Sequence, residues 1–180
     1  LVDCLRALRQ RIPAALLVLA PRHPERFEQV AQLLEEKGVS FLRRSEFTQG
    51  NELLASRPEV FLLDTLGELA GTYAAATVAF VGGTLVPAGG HNPVEPAVWG
   101  KPIVFGPFME NFRDMASAFL AAGAARQVRD AEELRACLAA LLGDTRQQAT
   151  MGNAARALVE ASRGATERVL EKVAELLGEY

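Results

Sequence analysis

One run of the sequence gathers the residue types that phosphate recognition uses: Gly82-Gly83-Thr84-Leu85-Val86-Pro87-Ala88-Gly89-Gly90-His91-Asn92-Pro93-Val94-Glu95-Pro96. Two diglycine pairs flank a short apolar segment, directly after an apolar run at 78–81 and just before a helix start. Glycines permit positive φ and close approach of the backbone to an anion, as phosphate cradles need. Asn92 can cap the helix, Pro93 suits its first position, and Val94 and Glu95 continue the first turn. A phosphate resting on those free amides is held as anions are at other helix N-termini. Glu95 has two readings. It closes a capping box with Asn92, or it accepts hydrogen bonds from both ribose hydroxyls of a bound nucleotide.

Two further loops carry unusual residues. The first, Ala20-Pro21-Arg22-His23-Pro24-Glu25-Arg26-Phe27, follows an apolar run at 15–19. Arg22 would project from the strand end, where a guanidinium can grip a phosphate with two parallel bonds. It reads equally as a surface arginine before a helix-starting Pro24. The second, Asp64-Thr65-Leu66-Gly67-Glu68-Leu69, offers Thr65 and Glu68 as a capping box. Its functional reading lies in the backbone, where Gly67 lets a ligand approach the N–H groups of a helix start. No G-x-G-x-x-G follows the first strand and no G-x-x-x-x-G-K-[ST] occurs, which disfavours dinucleotide dehydrogenases and P-loop NTPases. A glycine-rich loop late in the sheet, with an acid on the next helix, suits the donor half of a two-domain glycosyltransferase.

The elements that must position these loops alternate short apolar runs with longer amphipathic ones. That pattern predicts an α/β fold, a Rossmann-like parallel sheet flanked by helices. Strands are expected at 15–19, 40–42, 60–63, 78–81 and 103–105, with a shorter one at 125–128. Their apolar content suits cover on both faces. Helices are expected at 2–11, 24–37 and 112–122, and then three without intervening strands at 130–142, 144–162 and 165–177. Asp130 with Glu133, and Asp144 with Gln147, read as capping boxes. The polar stretch 43–58 reads mostly as loop. In such a sheet, ligands bind at the C-terminal strand ends, where the three loops lie.

At 180 residues and 49% hydrophobic content, one domain spanning 1–180 is the prior. Mean hydropathy of +0.10 comes from helical Ala and Leu. No run approaches the roughly 18 apolar residues of a membrane span. Net charge of −3 argues against a nucleic-acid surface. With two cysteines, Cys4 and Cys137, and two histidines, neither a disulfide framework nor a zinc site is expected. Leu1-Val2-Asp3 reads as the interior of a longer chain, with no secretory signal.

The three loops, together with Gly100-Lys101-Pro102-Ile103-Val104-Phe105-Gly106-Pro107 and Asn111-Phe112-Arg113, resemble the signatures of bacterial 3-deoxy-D-manno-octulosonic acid (Kdo) transferases. The resemblance runs in order from about 9 to 142. It implies the C-terminal domain of a GT-B glycosyltransferase, which holds CMP-Kdo as donor. It further implies metal-independent transfer of Kdo, without a cofactor, to a lipid A precursor at the cytoplasmic face of the inner membrane, this portion itself being soluble. CMP contacts are implied at Pro21, Arg22, Gly67, Glu68, Leu69, Asn92, Pro93, Val94 and Glu95. His23, Gly83, Gly90 and His91 are candidates for further phosphate or sugar contacts. No catalytic residue is assigned to this chain, because the family's carboxylate belongs to the N-terminal half, as does its acceptor-facing surface. The family's first C-domain strand should precede Leu1, and its loss would leave unpaired strand edges. Rival readings are a UDP-sugar transferase or epimerase of the same fold, and a non-catalytic nucleotide-binding domain.

Overall fold

A computed structural model describes residues 1–47 and 57–178; in the last helix the described side chains are those up to Ser162 and that of Val173. The chain divides into two compact units, Leu1–Thr72 and Tyr73–Tyr180, each with its own sheet and core.

In the first unit α1 (Val2–Arg9) leads to β1 (Leu17–Leu19), and a 3-10 turn, Pro24–Arg26, opens α2 (Phe27–Glu36). Pro24 occupies the turn's start, where its missing N–H costs nothing. Then come β2 (Phe41–Arg43), a 3-10 turn Arg44–Glu46, β3 (Val60–Leu62) and one turn of helix, α3 (Leu69–Thr72). The sheet order is β1-β3-β2, all parallel, with Leu19 and Arg43 both opposite Leu62. Central β3 buries Val60 and Leu62 completely, and Val60 packs with Leu5 of α1 and Leu34 of α2. Gly38 stops α2 at φ +60°, where Val39 N–H reaches back to Leu34 O at 3.0 Å.

β1 departs from the expected two-sided cover. Leu17 and Leu19 pack on the helix-covered core, while Leu16 and Val18 alternate to the other face and stay 42% and 38% exposed. Of the stretch expected as loop, Arg43 ends a strand and 44–46 form a 3-10 turn. Residues 48–56 of it lie outside the described residues.

The second unit opens with a 3-10 turn, Tyr73–Ala75, and continues through β4 (Ala79–Phe80), α4 (Val94–Val98) and β5 (Ile103–Phe105). A further turn, Glu110–Phe112, leads into α5 (Arg113–Ala121), β6 (Ala125–Gln127), α6 (Ala131–Leu142) and α7 (Thr145–Gly178). The order is β4-β5-β6, again all parallel. β5 is fully buried within a core of Ala97, Phe119, Ala155 and Val159. Among the described residues β1 and β4 each pair with one strand, so each sheet keeps an open edge there.

The expected caps are present. Asp130 Oδ1 accepts from the amides of Glu132 and Glu133 at 2.9 Å, and Asp144 Oδ1 from Gln147 N at 2.9 Å. The Glu133 carboxylate turns instead to Arg129, so the first box is half closed. The expected break near 163–164 is absent, and Thr145–Gly178 is one helix. Gly164 weakens a helix by about 1 kcal/mol without removing a hydrogen bond, as proline would. Where α7 passes Gly100, a Cβ on Gly152 would lie 2.0 Å from Gly100 O, so only glycine permits that approach.

Candidate functional site

Parallel, in-register pairing carries three loops of the first unit to one sheet edge: residues 20–23 after β1, 44–46 after β2 and 63–68 after β3. Pro21 and the exposed Arg22 and His23 lie on the first loop, with His23 Nδ1 3.7 Å from Glu25. The third contains Gly67 at φ +83°, with open space where a side chain would stand. A positive φ and an open approach are what the backbone reading of this loop requires.

The carboxylates there are engaged in a network. Asp64, with its side chain 1% exposed, accepts from Arg43 Nε at 2.8 Å, Ser45 N at 2.8 Å and Ser45 Oγ at 2.6 Å. Burial works to raise its pKa, and the Ser45 hydroxyl, Arg43 and the Ser45 amide together hold it below the usual range. Glu68 Oε1 accepts from Arg44 Nε at 3.1 Å and Nη2 at 2.7 Å, while Thr65 Oγ1 donates to Oε2. These donors, Thr65 foremost, lower the Glu68 pKa. The Thr65–Glu68 pair is therefore a bond between side chains, and with Arg44 it leaves the Glu68 carboxylate engaged.

In the second unit the glycine-rich loop after β4 is tightly built. Buried Thr84 donates to Val81 O at 2.7 Å and accepts from Gly106 N at 2.7 Å, and Phe108 N bonds Thr84 O at 3.0 Å. Gly83, Gly89 and Gly90 all have positive φ. A Cβ on Gly83 would lie 3.3 Å from His91 Nε2, one on Gly89 2.3 Å from Asn111 Nδ2, and one on Gly90 2.7 Å from Met109 Sδ. The close approaches are tightest at Gly89 and Gly90, and His91 lies against the Gly82-Gly83 backbone. Val86 at the loop tip is exposed.

Asn92 Oδ1 accepts from Val94 N at 3.0 Å and so caps α4, behind the buried Pro93. Glu95 is half-buried, and no hydrogen bond links its carboxylate to the Asn92 amide among the described residues. The capping-box reading of Glu95 therefore lacks its second bond. The Tyr73 phenol is pushed up to about 12, by burial first and by the Glu95 charge second. α4 has only five residues; Pro93 and Pro96 carry no N–H and Val94 spends its own on Asn92, so this helix start offers an anion neither a long helix dipole nor a row of free amides.

The comparisons decide the relationship. The chain is 39% identical over 177 residues, 98% of its length, to a 3-deoxy-D-manno-octulosonic acid transferase of Bordetella pertussis. It is 38% identical over 167 residues to the Haemophilus influenzae enzyme of that name. The chain is a homologue of the Kdo transferases. Its fold agrees. The crystal structure of the C-terminal CMP-Kdo binding domain of WaaA from Acinetobacter baumannii superposes with a TM-score of 0.73 at 26% identity, covering 88% of this chain and 97% of that one. This is the expected α/β architecture of a GT-B C-terminal domain. No family model matches the chain. The chain spans about two fifths of the length of those two curated transferases, 41% and 38%.

In this Kdo-transferase homologue, sequence reasoning missed Arg43, Arg44 and Ser45, which bind the second loop's acids, and gave no bracing role to Thr84, Gly106 and Asn111, which lie within its motifs and hold the third loop. The adjacent arginines directly after the apolar Phe41-Leu42 were the available signal. Among the described residues no three His, Cys, Asp or Glu side chains group as metal ligands. No described helix is long and apolar enough to cross a membrane.

Proposed function

We propose that this chain is the donor-binding portion of an enzyme that transfers Kdo from CMP-Kdo to a lipid A precursor. The reaction proceeds without a metal ion, at the cytoplasmic face of the inner membrane. The observation that carries the proposal is Glu95, a half-buried carboxylate left without a capping bond beside an Asn92-capped turn. That leaves its oxygens for ribose hydroxyls in the second unit, and in the first unit the exposed Arg22 offers a guanidinium suited to phosphate. In the first unit Pro21 and the Gly67-Glu68-Leu69 backbone, and in the second Asn92, Pro93 and Val94, are each offered as nucleotide contacts. Support also comes from the likeness to a domain described as binding CMP-Kdo. CMP leaves as a phosphate monoester anion, and fixed amides with a guanidinium match the charge that develops on it. The attacking hydroxyl of the acceptor is activated by a base outside this chain.

Glu95→Gln tests the ribose contact. Glu95 makes no capping bond to lose, so the ligand-free melting temperature should not move. Affinity for CMP should fall by about 1–2 kcal/mol, because a neutral amide replaces a charged acceptor. The nucleotide lacking both ribose hydroxyls should bind wild type and variant alike. Unchanged CMP affinity would return Glu95 to a structural role. Arg22→Ala should weaken CMP by about 1.5–3 kcal/mol in a protein that still folds, since the side chain is exposed. Calorimetric titration of the folded variant checks this, and wild-type affinity would leave Arg22 a surface residue.

A further inference from the structure

We propose that Arg44 is a positioning residue for the nucleotide: by gripping Glu68 it holds the Gly67-Glu68-Leu69 backbone in the conformation that binds CMP. The inference rests on the CMP reading above and adds the group that preorganises one of its loops.

The 65–68 loop has little packing of its own. Leu66 is 73% exposed, and Gly67 has no heavy atom within 4 Å of its β-position. Downstream, Thr72 secures the loop's end through its amide and hydroxyl, both donating to Glu68 O. Upstream the tie is the Glu68 carboxylate. One oxygen takes the Thr65 hydroxyl, and the other takes both Nε and Nη2 of Arg44. Arg44 is itself fixed, because it directly follows β2, which pairs with β3 in register, and its Nη1 donates to Phe47 O at 3.3 Å. A two-nitrogen grip on one carboxylate oxygen thus transmits the geometry of the sheet to a glycine at φ +83°. Both side chains are more than a third exposed, so the pair adds little to global stability. Its effect is local order, the supporting role that keeps a binding loop from being present but loose.

The test uses the 180-residue chain, with amide hydrogen exchange in the absence of ligand and titration with CMP. Arg44→Gln should speed exchange at Leu66, Gly67 and Glu68 and leave Leu62 in β3 unchanged. It should leave the melting temperature in place and raise the CMP Kd about tenfold. Arg44→Lys should recover part of the affinity, since an ammonium cannot reproduce the paired N–H contacts. In a Glu68→Gln background, Arg44→Gln should add nothing further. Wild-type CMP affinity or unchanged loop exchange in Arg44→Gln would overturn the positioning role while leaving the CMP reading intact. An undiminished loss in the Glu68→Gln background would also overturn it, because Arg44 would then touch the nucleotide directly. A wild-type chain that does not bind CMP would overturn the underlying reading and this role together.

Discussion

Gly106→Ala is expected to destabilise the protein by about 3 kcal/mol, at the upper end of what a methyl forced into a filled core costs. The added Cβ would stand 2.1 Å from Thr84 O, 2.5 Å from its carbonyl carbon and 2.8 Å from Leu85 N. These are backbone atoms, so no rotamer change can relieve the overlap. Either the end of β5 or the glycine-rich loop must move. Moving either breaks the paired bonds at the wholly buried Thr84, which accepts from Gly106 N and donates to Val81 O. The loop leading to His91, Asn92 and Glu95 would shift with it, so CMP-dependent stabilisation should disappear even where the variant still folds. Gly71→Ala is the control. Gly71 lies in α3 with nothing within 4 Å of its β-position, and alanine there should be neutral or stabilising. Urea unfolding of both variants checks the contrast, and a Gly106→Ala midpoint equal to wild type would refute the packing described.

Asp64→Asn should cost about 2–3 kcal/mol, the scale of losing hydrogen bonds to a charged group that is almost wholly enclosed. The asparagine keeps an acceptor for the Ser45 amide but turns an N–H₂ toward Arg43 or the Ser45 hydroxyl. Arg43 retains Glu28 at 2.9 Å, which is why the loss stays below that of a fully stranded buried charge. The sign of the pH dependence follows from the lowered Asp64 pKa. A carboxyl whose pKa is lower folded than unfolded contributes stability that is complete above its unfolded pKa. That contribution is lost as pH falls through the folded value. Wild-type stability should therefore decline below about pH 4, where the unfolded carboxyl begins to hold its proton. In Asp64→Asn that part of the decline should be missing. Denaturation midpoints from pH 7 to pH 3 measure it, and parallel acid profiles for the two proteins would exclude the network as their cause.

Much of the fold was legible because its local rules are strong. Short Val-, Leu- and Ile-rich runs between amphipathic segments predict buried parallel strands, and Asp130, Asp144 and Asn92 mark helix starts that their side chains do cap. What stayed hidden depends on contacts between distant positions. Arg43 and Arg44 read as loop because their acids, Asp64 and Glu68, lie 21 and 24 residues further on. They meet only once β2 and β3 pair in register. Gly106 and Gly152 look like ordinary glycines in sequence, and only the approach of Thr84 and Gly100 explains them. The helix break placed near 163–164 rested on a glycine, which weakens a helix without ending it. The exposed face of β1 was hidden because composition cannot say which face of a strand lacks a covering helix. At the site itself, both readings of Glu95 follow from its position in the sequence. The structure bears on the choice by showing the capping bond unmade.

Titration of this chain with CMP, UMP and AMP under one set of conditions asks whether it binds a cytidine nucleotide. CMP should bind saturably and raise the melting temperature with ligand concentration. UMP should bind more weakly, because it offers a carbonyl where cytosine offers an amino group, and AMP weakest, because a purine must fit a pyrimidine's place. Binding of UMP equal to or tighter than CMP would overturn the cytidine assignment, as would no binding of any of the three by a folded chain.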